Sequence, residues 1–211
     1  MIVKIIKKWS IAAILLGVVS TAHASAQGGY LGLMLGLSNL NGQNQTITIA
    51  PGVTETVKPQ GSGIGSRIFG GYNMNRYAAI ESGFMFYSSM NYQTPNVSNN
   101  LKTRAGSFDL LGKGMFPLWD SGFAAFAKLG GAYFFAKTNG KVENVSIPSS
   151  TSSAFRPEVA LGVSYNMTQN WEADLSYTTL MYSNSQIKNP TFLALGISYH
   201  ILDPVCGQFL C

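Results

Sequence analysis

Charge is the first thing this chain has little of. Only 11% of its 211 residues are Asp, Glu, Lys or Arg, less than half the roughly 25% usual in soluble proteins. So few charges cover a fully hydrated surface poorly, which counts against an ordinary water-soluble globule. Cysteine is nearly missing as well, since Cys206 and Cys211 sit together at the end of the chain. They can form a small disulfide in an oxidising compartment, but they cannot staple the rest of the fold. No His or second Cys pair accompanies them, so no metal site is expected. Beyond residue 26 there is no uncharged apolar run of 18 or more residues, which excludes a membrane-spanning helix. Histidine is limited to His23 and His200. His200 falls at the inward-facing end of the last candidate strand, far from any loop-side Ser, so no catalytic residues are expected. Gly70-Gly71 and Gly130-Gly131 lack the following Lys-Ser/Thr of a phosphate loop and read as close-packed strand positions, so no cofactor is expected.

What is present begins with Lys4, Lys7 and Lys8, the uncharged stretch Ile11 to Val19, and the small-residue sites Ala22-His-Ala24 and Ala24-Ser-Ala26. That order is a secretory signal peptide. Its apolar core is about half of the ~20 residues a spanning helix requires. Cleavage after Ala26 leaves Gln27 first, and cleavage after Ala24 fits nearly as well. Export removes three of the 14 basic residues and none of the 9 acidic ones, so 11 against 9 leaves a net charge near +2. The whole-chain pI of 9.2 therefore gives no support to a nucleic-acid partner. The expected organisation is a signal peptide over 1–26, one domain over 27–201 and a short tail over 202–211.

Period-two alternation dominates that domain. Leu31, Leu33, Leu35 and Leu37 alternate with Gly32, Met34 and Gly36, and Leu193, Leu195, Ile197, Tyr199 and Ile201 alternate with Ala194, Gly196, Ser198 and His200. Val159, Leu161, Val163 and Tyr165, then Trp171, Leu175 and Tyr177, repeat the pattern around Asn166–Asn170, and weaker copies cover 63–73, 77–88, 106–117 and 122–136. Eight strands result, most of them with the 9–11 residues of a tilted membrane strand. Short turns at Asn73–Arg76, Pro117–Ser121 and Asn166–Asn170 alternate with long polar connections at about 38–62, 88–105, 137–155 and 181–190. These connections have too little apolar content to form a core of their own. The predicted fold is all-β, an eight-stranded antiparallel up-and-down transmembrane β-barrel in the outer membrane of a Gram-negative bacterium, with short turns in the periplasm and long loops outside.

One face of the strands carries Arg67, Glu81, Asp109, Lys113, Lys128, Glu158 and Asp174, with Gly, Ala, Ser, Met or Thr between them; Glu172 shares that face near a turn. The other face carries Leu, Ile, Val and aromatics. A cation at mid-membrane on the lipid face costs roughly 2–4 kcal/mol, so the charged face belongs in the lumen. Tyr72, Tyr77, Phe116, Trp119, Phe123, Tyr165, Trp171 and Tyr199 then fall toward the turns, and Phe86, Tyr87, Tyr133, Phe135 and Phe192 toward the loops, as two interfacial belts. Lys58, Lys102, Arg104, Lys137, Lys141 and Lys188 in the connections outnumber Glu55 and Glu143 by four. That excess fits outer-membrane lipid and the phosphates of lipopolysaccharide as partners.

Phe69-Gly-Gly-Tyr-Asn-Met-Asn-Arg-Tyr77, Lys113-Gly-Met-Phe-Pro117, Lys128-Leu-Gly-Gly-Ala-Tyr133, Gly162-Val-Ser-Tyr165 and Leu195-Gly-Ile-Ser-Tyr199 resemble, in order and spacing, the transmembrane domain of the outer-membrane protein A (OmpA-like) family. The resemblance runs to Ile201. It implies a barrel that anchors surface loops, contributes to envelope integrity and adhesion through an unknown surface ligand, and in some members conducts small solutes weakly. Glu81 and Lys113 match an acidic and a basic partner of the family's lumen network, whereas Asp174 stands in place of an arginine and Ser164 in place of a second acid. Gly196-Ile-Ser-Tyr-His-Ile201 matches the final-strand signal read by the barrel-assembly machinery. Larger members add a peptidoglycan-binding domain; with ten residues after the last strand, none is expected here.

Overall fold

The computed structural model describes residues 27–42, 45–50, 53–57, 59–60, 62–94, 97–119, 121–142, 145–182 and 187–201. The expected signal peptide over 1–26 and the Cys206–Cys211 pair lie outside them. Eight strands form the barrel: β1 Gly28–Asn39, β2 Ser62–Asn75, β3 Ala78–Phe86, β4 Val97–Leu118, β5 Phe123–Val142, β6 Val145–Asn166, β7 Trp171–Leu180 and β8 Thr191–His200. Each pairs antiparallel with its neighbours in sequence, and β1 pairs with β8 from Tyr30↔His200 to Asn39↔Thr191, which closes the ring. Closure matters because an unpaired backbone group facing lipid costs several kcal/mol.

The alternation of side chains sorts as the period of two dictates. Leu31, Leu33, Leu35 and Leu37 are exposed on the outside, as are Leu129, Leu161, Leu193 and Leu195, while Met34, Glu81, Asp109 and Glu158 are buried inside. A lipid-facing stripe of Leu and Ile keeps its apolar area out of water only when a bilayer surrounds it. The interior is less uniformly small than the sequence indicates. Tyr30, Phe69, Phe126 and Phe134 point inward and are buried. Room for these rings comes from glycines on adjacent strands: a Cβ at Gly71 would lie 2.5 Å from the Tyr30 ring, and one at Gly162 would lie 2.4 Å from the Phe126 ring.

Three strands run far past the membrane, contrary to the long polar loops expected over 88–105 and 137–155. β4 and β6 have 22 residues each and β5 has 20. The β4–β5 ladder is continuous from Leu118↔Phe123 to Asn99↔Val142. The sequence there is rich in Thr, Ser, Asn and Lys without apolar alternation, so periodicity is lost while backbone pairing persists. At ~3.3 Å per residue these strands are ~70 Å long, against an apolar band ~25 Å tall, so much of their length stands in the extracellular space. Short strands Met90–Thr94 and Pro59–Gln60 extend this sheet, and Gln45–Ala50 pairs with Val53–Val57 as a separate hairpin.

The loop residues also contribute a core, which their composition does not lead one to expect. Leu40, Met90, Tyr182 and Ile187 are buried at the outer mouth with Tyr87, Phe134, Leu180 and Phe192. Phe134 lies 4.8 Å from Tyr182 and 5.9 Å from Tyr87, centroid to centroid. Tyr87 and Phe192 therefore plug the mouth and do not belong to the interfacial belt, because their parity directs them inward. The first and last connections are tied by the bridge Gly42↔Ile187 and by Asn41 Nδ2, which donates to the Asn189 carbonyl at 2.6 Å. Asn41 and Asn189 both have φ near 46°, a left-handed conformation that Asn tolerates better than most side chains.

These contacts predict that Gly71→Val destabilises the refolded barrel by about 1–3 kcal/mol, because the new side chain meets both the Tyr30 ring and the Ile80 carbonyl. Gly112→Ala, whose nearest neighbour would be the Leu129 carbonyl at 3.7 Å, leaves stability within about 0.5 kcal/mol. Urea unfolding of the barrel in lipid vesicles, followed by tryptophan fluorescence, distinguishes the two.

Candidate functional site

The lumen collects every charged residue assigned to it. Arg67, Glu81, Asp109, Lys113, Lys128, Glu158 and Asp174 are all buried, and Glu172 and His200 join them. Arg67 on β2 is the centre of the upper cluster. Its Nε and Nη2 donate to the two Asp109 oxygens at 3.0 and 2.6 Å, and its Nη1 donates to Glu81 Oε1 at 2.6 Å. The planar guanidinium fork is the group best suited to holding two carboxylates at once. Lys128 Nζ donates to Glu81 Oε1 at 2.7 Å, and the Tyr30 hydroxyl donates to Glu81 Oε2 at 3.1 Å. Glu81 is thus engaged on both oxygens.

A second cluster lies nearer the periplasm. Lys113 Nζ contacts Glu172 Oε1 at 3.2 Å, and His200 Nε2 is 3.5 Å from Glu172 Oε2. His200 also approaches Asn73 Nδ2 through Nδ1 at 3.4 Å and stacks on Tyr30 with centroids 5.1 Å apart. Glu81 and Lys113, the two positions that match the family network, have other partners here: Glu81 is held by Arg67, Lys128 and Tyr30, and Lys113 is bound to Glu172. Glu172 was the residue whose part in the network was least visible in sequence; its only signal is that it shares parity with Asp174. Rings separate the cations: Lys113 lies 4.7 Å and Lys128 5.1 Å from the Phe126 centroid, and Arg67 lies 5.1 Å from that of Phe69. Such contacts attract cations to the ring face and add to the ion pairs.

Acids outnumber permanent cations in the lumen: Glu81, Asp109, Glu158, Glu172 and Asp174 stand against Arg67, Lys113 and Lys128. The surplus is visible in the contacts. Both carboxyl oxygens of Glu158 and one of Asp174 lack a hydrogen-bond partner among the described residues. Glu158 is 0% exposed. Ion pairing therefore holds Glu81, Asp109 and Glu172 and leaves two acids, Glu158 and Asp174, without a salt bridge among the described residues.

The belts occupy the outer surface. Tyr72, Tyr77, Tyr133, Tyr165, Trp171 and Tyr199 face outward, half-exposed, and Trp119 is 90% exposed in the turn before β5. Trp171 and Tyr199 meet edge to face at 5.1 Å, and Phe123 meets Tyr165 at 4.6 Å. These rings ring the turn side, as interfacial anchors do, while Tyr133 lies on the loop side.

A closed ring of eight antiparallel strands, apolar outside, charged inside and edged with aromatics, defines a small outer-membrane β-barrel. Residues 10–200 match the model of the outer membrane protein beta-barrel domain, and the chain belongs to that family. It is 29% identical over 199 residues to an uncharacterized protein of Coxiella burnetii, covering 78% of this chain and 77% of that one. It is 27% identical over 197 residues to outer membrane protein A of Shigella flexneri, covering 90% of this chain and 54% of that protein, so the chain spans about half the length of this relative. Among solved structures, OprG of Pseudomonas aeruginosa superposes with a TM-score of 0.55 at 10% identity, covering 84% of this chain and 99% of OprG. That likeness concerns the fold.

Two substitutions of opposite sign test the lumen. Arg67→Ala strands Asp109 and one side of Glu81, and is expected to cost about 3–5 kcal/mol. Glu158→Gln removes a charge that no cation pairs with and leaves stability unchanged or higher. Both are measured as shifts in the urea midpoint of the folded barrel.

Proposed function

We propose that this protein is a structural and surface-interaction barrel of the outer membrane, contributing to envelope integrity and adhesion through its extracellular strands and loops. The observation that supports this reading is a filled lumen beneath a tall extracellular sheet. From base to mouth the interior side chains His200, Glu172, Lys113, Glu81, Met34, Glu158, Phe134, Leu180 and Ile187 are all buried. Ion pairs hold the centre and an apolar cluster fills the mouth among the described residues, which favours a filled barrel over an open one. β4, β5 and β6 meanwhile carry a sheet well above the bilayer, where a surface ligand meets it. On this reading the other partners are the lipid and lipopolysaccharide around the barrel and the assembly machinery that engages β8.

The competing role is a narrow pore for small solutes. Reconstituted in planar bilayers, the protein is expected to give no stable open conductance, and a reproducible channel in most insertions would overturn the structural reading. A deletion strain is expected to lose detergent resistance and surface adherence, both restored by the full chain. Unchanged envelope and adherence would remove the proposed role even with a silent bilayer.

A further inference from the structure

One patch on the outer surface has a composition that neither the barrel nor the lumen accounts for. On β4, Gly106 is flanked in register by Phe86 of β3 and Phe135 of β5. A Cβ at Gly106 would lie 2.6 Å from the Phe135 ring, so that ring lies across the glycine. Phe84 packs with Phe86 at 4.6 Å and with Phe135 at 5.7 Å. The result is a continuous aromatic shelf facing lipid. One step outward on the same face, Arg104 of β4 stands directly opposite Lys137 of β5, and both are exposed.

Like charges at directly opposed positions of an antiparallel pair repel and destabilise the pairing. Relief would come from an acid nearby, and none pairs with them among the described residues: the acids of β3 and of β4, Glu81 and Asp109, are buried in the lumen. Neither Arg104 nor Lys137 has an ion pair among the described residues. Height fixes what lies beside them. Arg104 is twelve residues along β4 from Phe116 of the turn-side belt, which at ~3.3 Å per residue and a ~40° tilt is ~30 Å along the membrane normal. The apolar band is ~25 Å tall. Arg104 and Lys137 therefore sit at the outer headgroup level, and the aromatic shelf sits at the level of the outer ends of the acyl chains.

We propose that this patch binds a phosphorylated, multiply acylated glycolipid of the outer leaflet, the lipid A part of lipopolysaccharide, with Arg104 and Lys137 sharing a phosphate and Phe84, Phe86 and Phe135 under its chains. The anion placed between two facing cations removes their repulsion, and the rings bury apolar chain surface immediately below. A phosphate alone gains only the first contact and an uncharged lipid only the second, so the two together select an anionic amphiphile. This inference rests on the outer-membrane placement of the barrel. It is independent of whether the loops also bind a cell-surface ligand, because it is read from purified protein.

The test uses the full mature chain, refolded in detergent free of lipopolysaccharide and confirmed as folded by its heat-dependent gel shift. Bisphosphorylated lipid A in mixed micelles is titrated and bound lipid is read by native mass spectrometry. Each of Arg104→Ala and Lys137→Ala is expected to weaken binding about 5-fold, and the double variant about 30-fold, the scale expected for one basic residue and for two at a charged membrane surface. Dephosphorylated lipid A should bind the wild type as weakly as lipid A binds the double variant, and inorganic phosphate should compete poorly. F86A/F135A should lose affinity for the acylated lipid with both cations intact. Arg76→Ala and Lys188→Ala, which remove equal charge at the periplasmic turn and in the last loop, should leave binding unchanged. The proposal is overturned if the double variant binds within twofold of wild type, if removing the phosphates changes nothing, or if the two control substitutions weaken binding as much.

Discussion

The structure depends on one constraint, that every backbone N–H and C=O within the bilayer must find a partner in the protein. For eight strands joined in sequence order, seven pairings follow from the connections alone, and the eighth, β1 with β8, is the one that removes the last open edges. That seam also organises the interior. It sets Tyr30 opposite His200, which lets the rings stack, and Tyr30 then reaches Glu81 on β3. Above the membrane it brings the first and last connections together, where Gly42 bridges to Ile187 and Asn41 to Asn189. A single closure thus couples the base of the lumen to the seal at its mouth.

A ring of eight strands leaves an interior just wide enough for side chains to fill. Space is therefore rationed between rings and charges, and the glycines decide how. Gly71 admits Tyr30 and Gly162 admits Phe126; Gly83 lies under the Arg67 guanidinium, and a Cβ there would be 2.8 Å from it. With the guanidinium held in that slot, its fork is aimed at Glu81 and Asp109 together. Breaking a buried pair costs far more than the pair contributes net, because the remaining charge stays desolvated. The interior is thus a set of interdependent contacts, and its stability resides in completeness more than in any single bond.

How much of this the sequence reveals follows from the range of each interaction. Strand positions and facing are local, written in runs such as Leu31 to Leu37 and Leu193 to Ile201, and these stretches are strands with their leucines outward. The extensions of β4, β5 and β6 are also local but leave no mark, since outside the bilayer a strand has no lipid to demand an apolar face and backbone pairing alone carries no sequence signature. The partners of each lumen charge are not local at all. Whether Glu81 meets Lys113 or Lys128 depends on how far neighbouring strands are staggered around the ring, and no pattern within one strand encodes stagger. Tyr30, Phe69 and Phe126 share the parity of Met34, Arg67 and Lys128 and so point inward, but the glycines that make room for them, Gly71, Gly32 and Gly162, lie on neighbouring strands and cannot be matched to them within one strand. Tyr87 and Phe192 show that parity is a better guide to an aromatic's place than its nearness to a strand end.

The two populations of charge differ in how they are satisfied. Inside, Arg67, Lys113 and Lys128 are each held by carboxylates and rings, and moving any of them to open a passage would leave a desolvated acid behind. Such a lumen resists rearrangement. Outside, Arg104 and Lys137 face one another with no ion pair among the described residues, a pairing that folding alone gives no reason to keep on a strand already secured by twenty ladder positions. Among the described residues the interior leaves Glu158 and Asp174 without a cation but buried, whereas the cations at the level of the lipid headgroups are open to a binding partner that completes what the chain leaves unpaired.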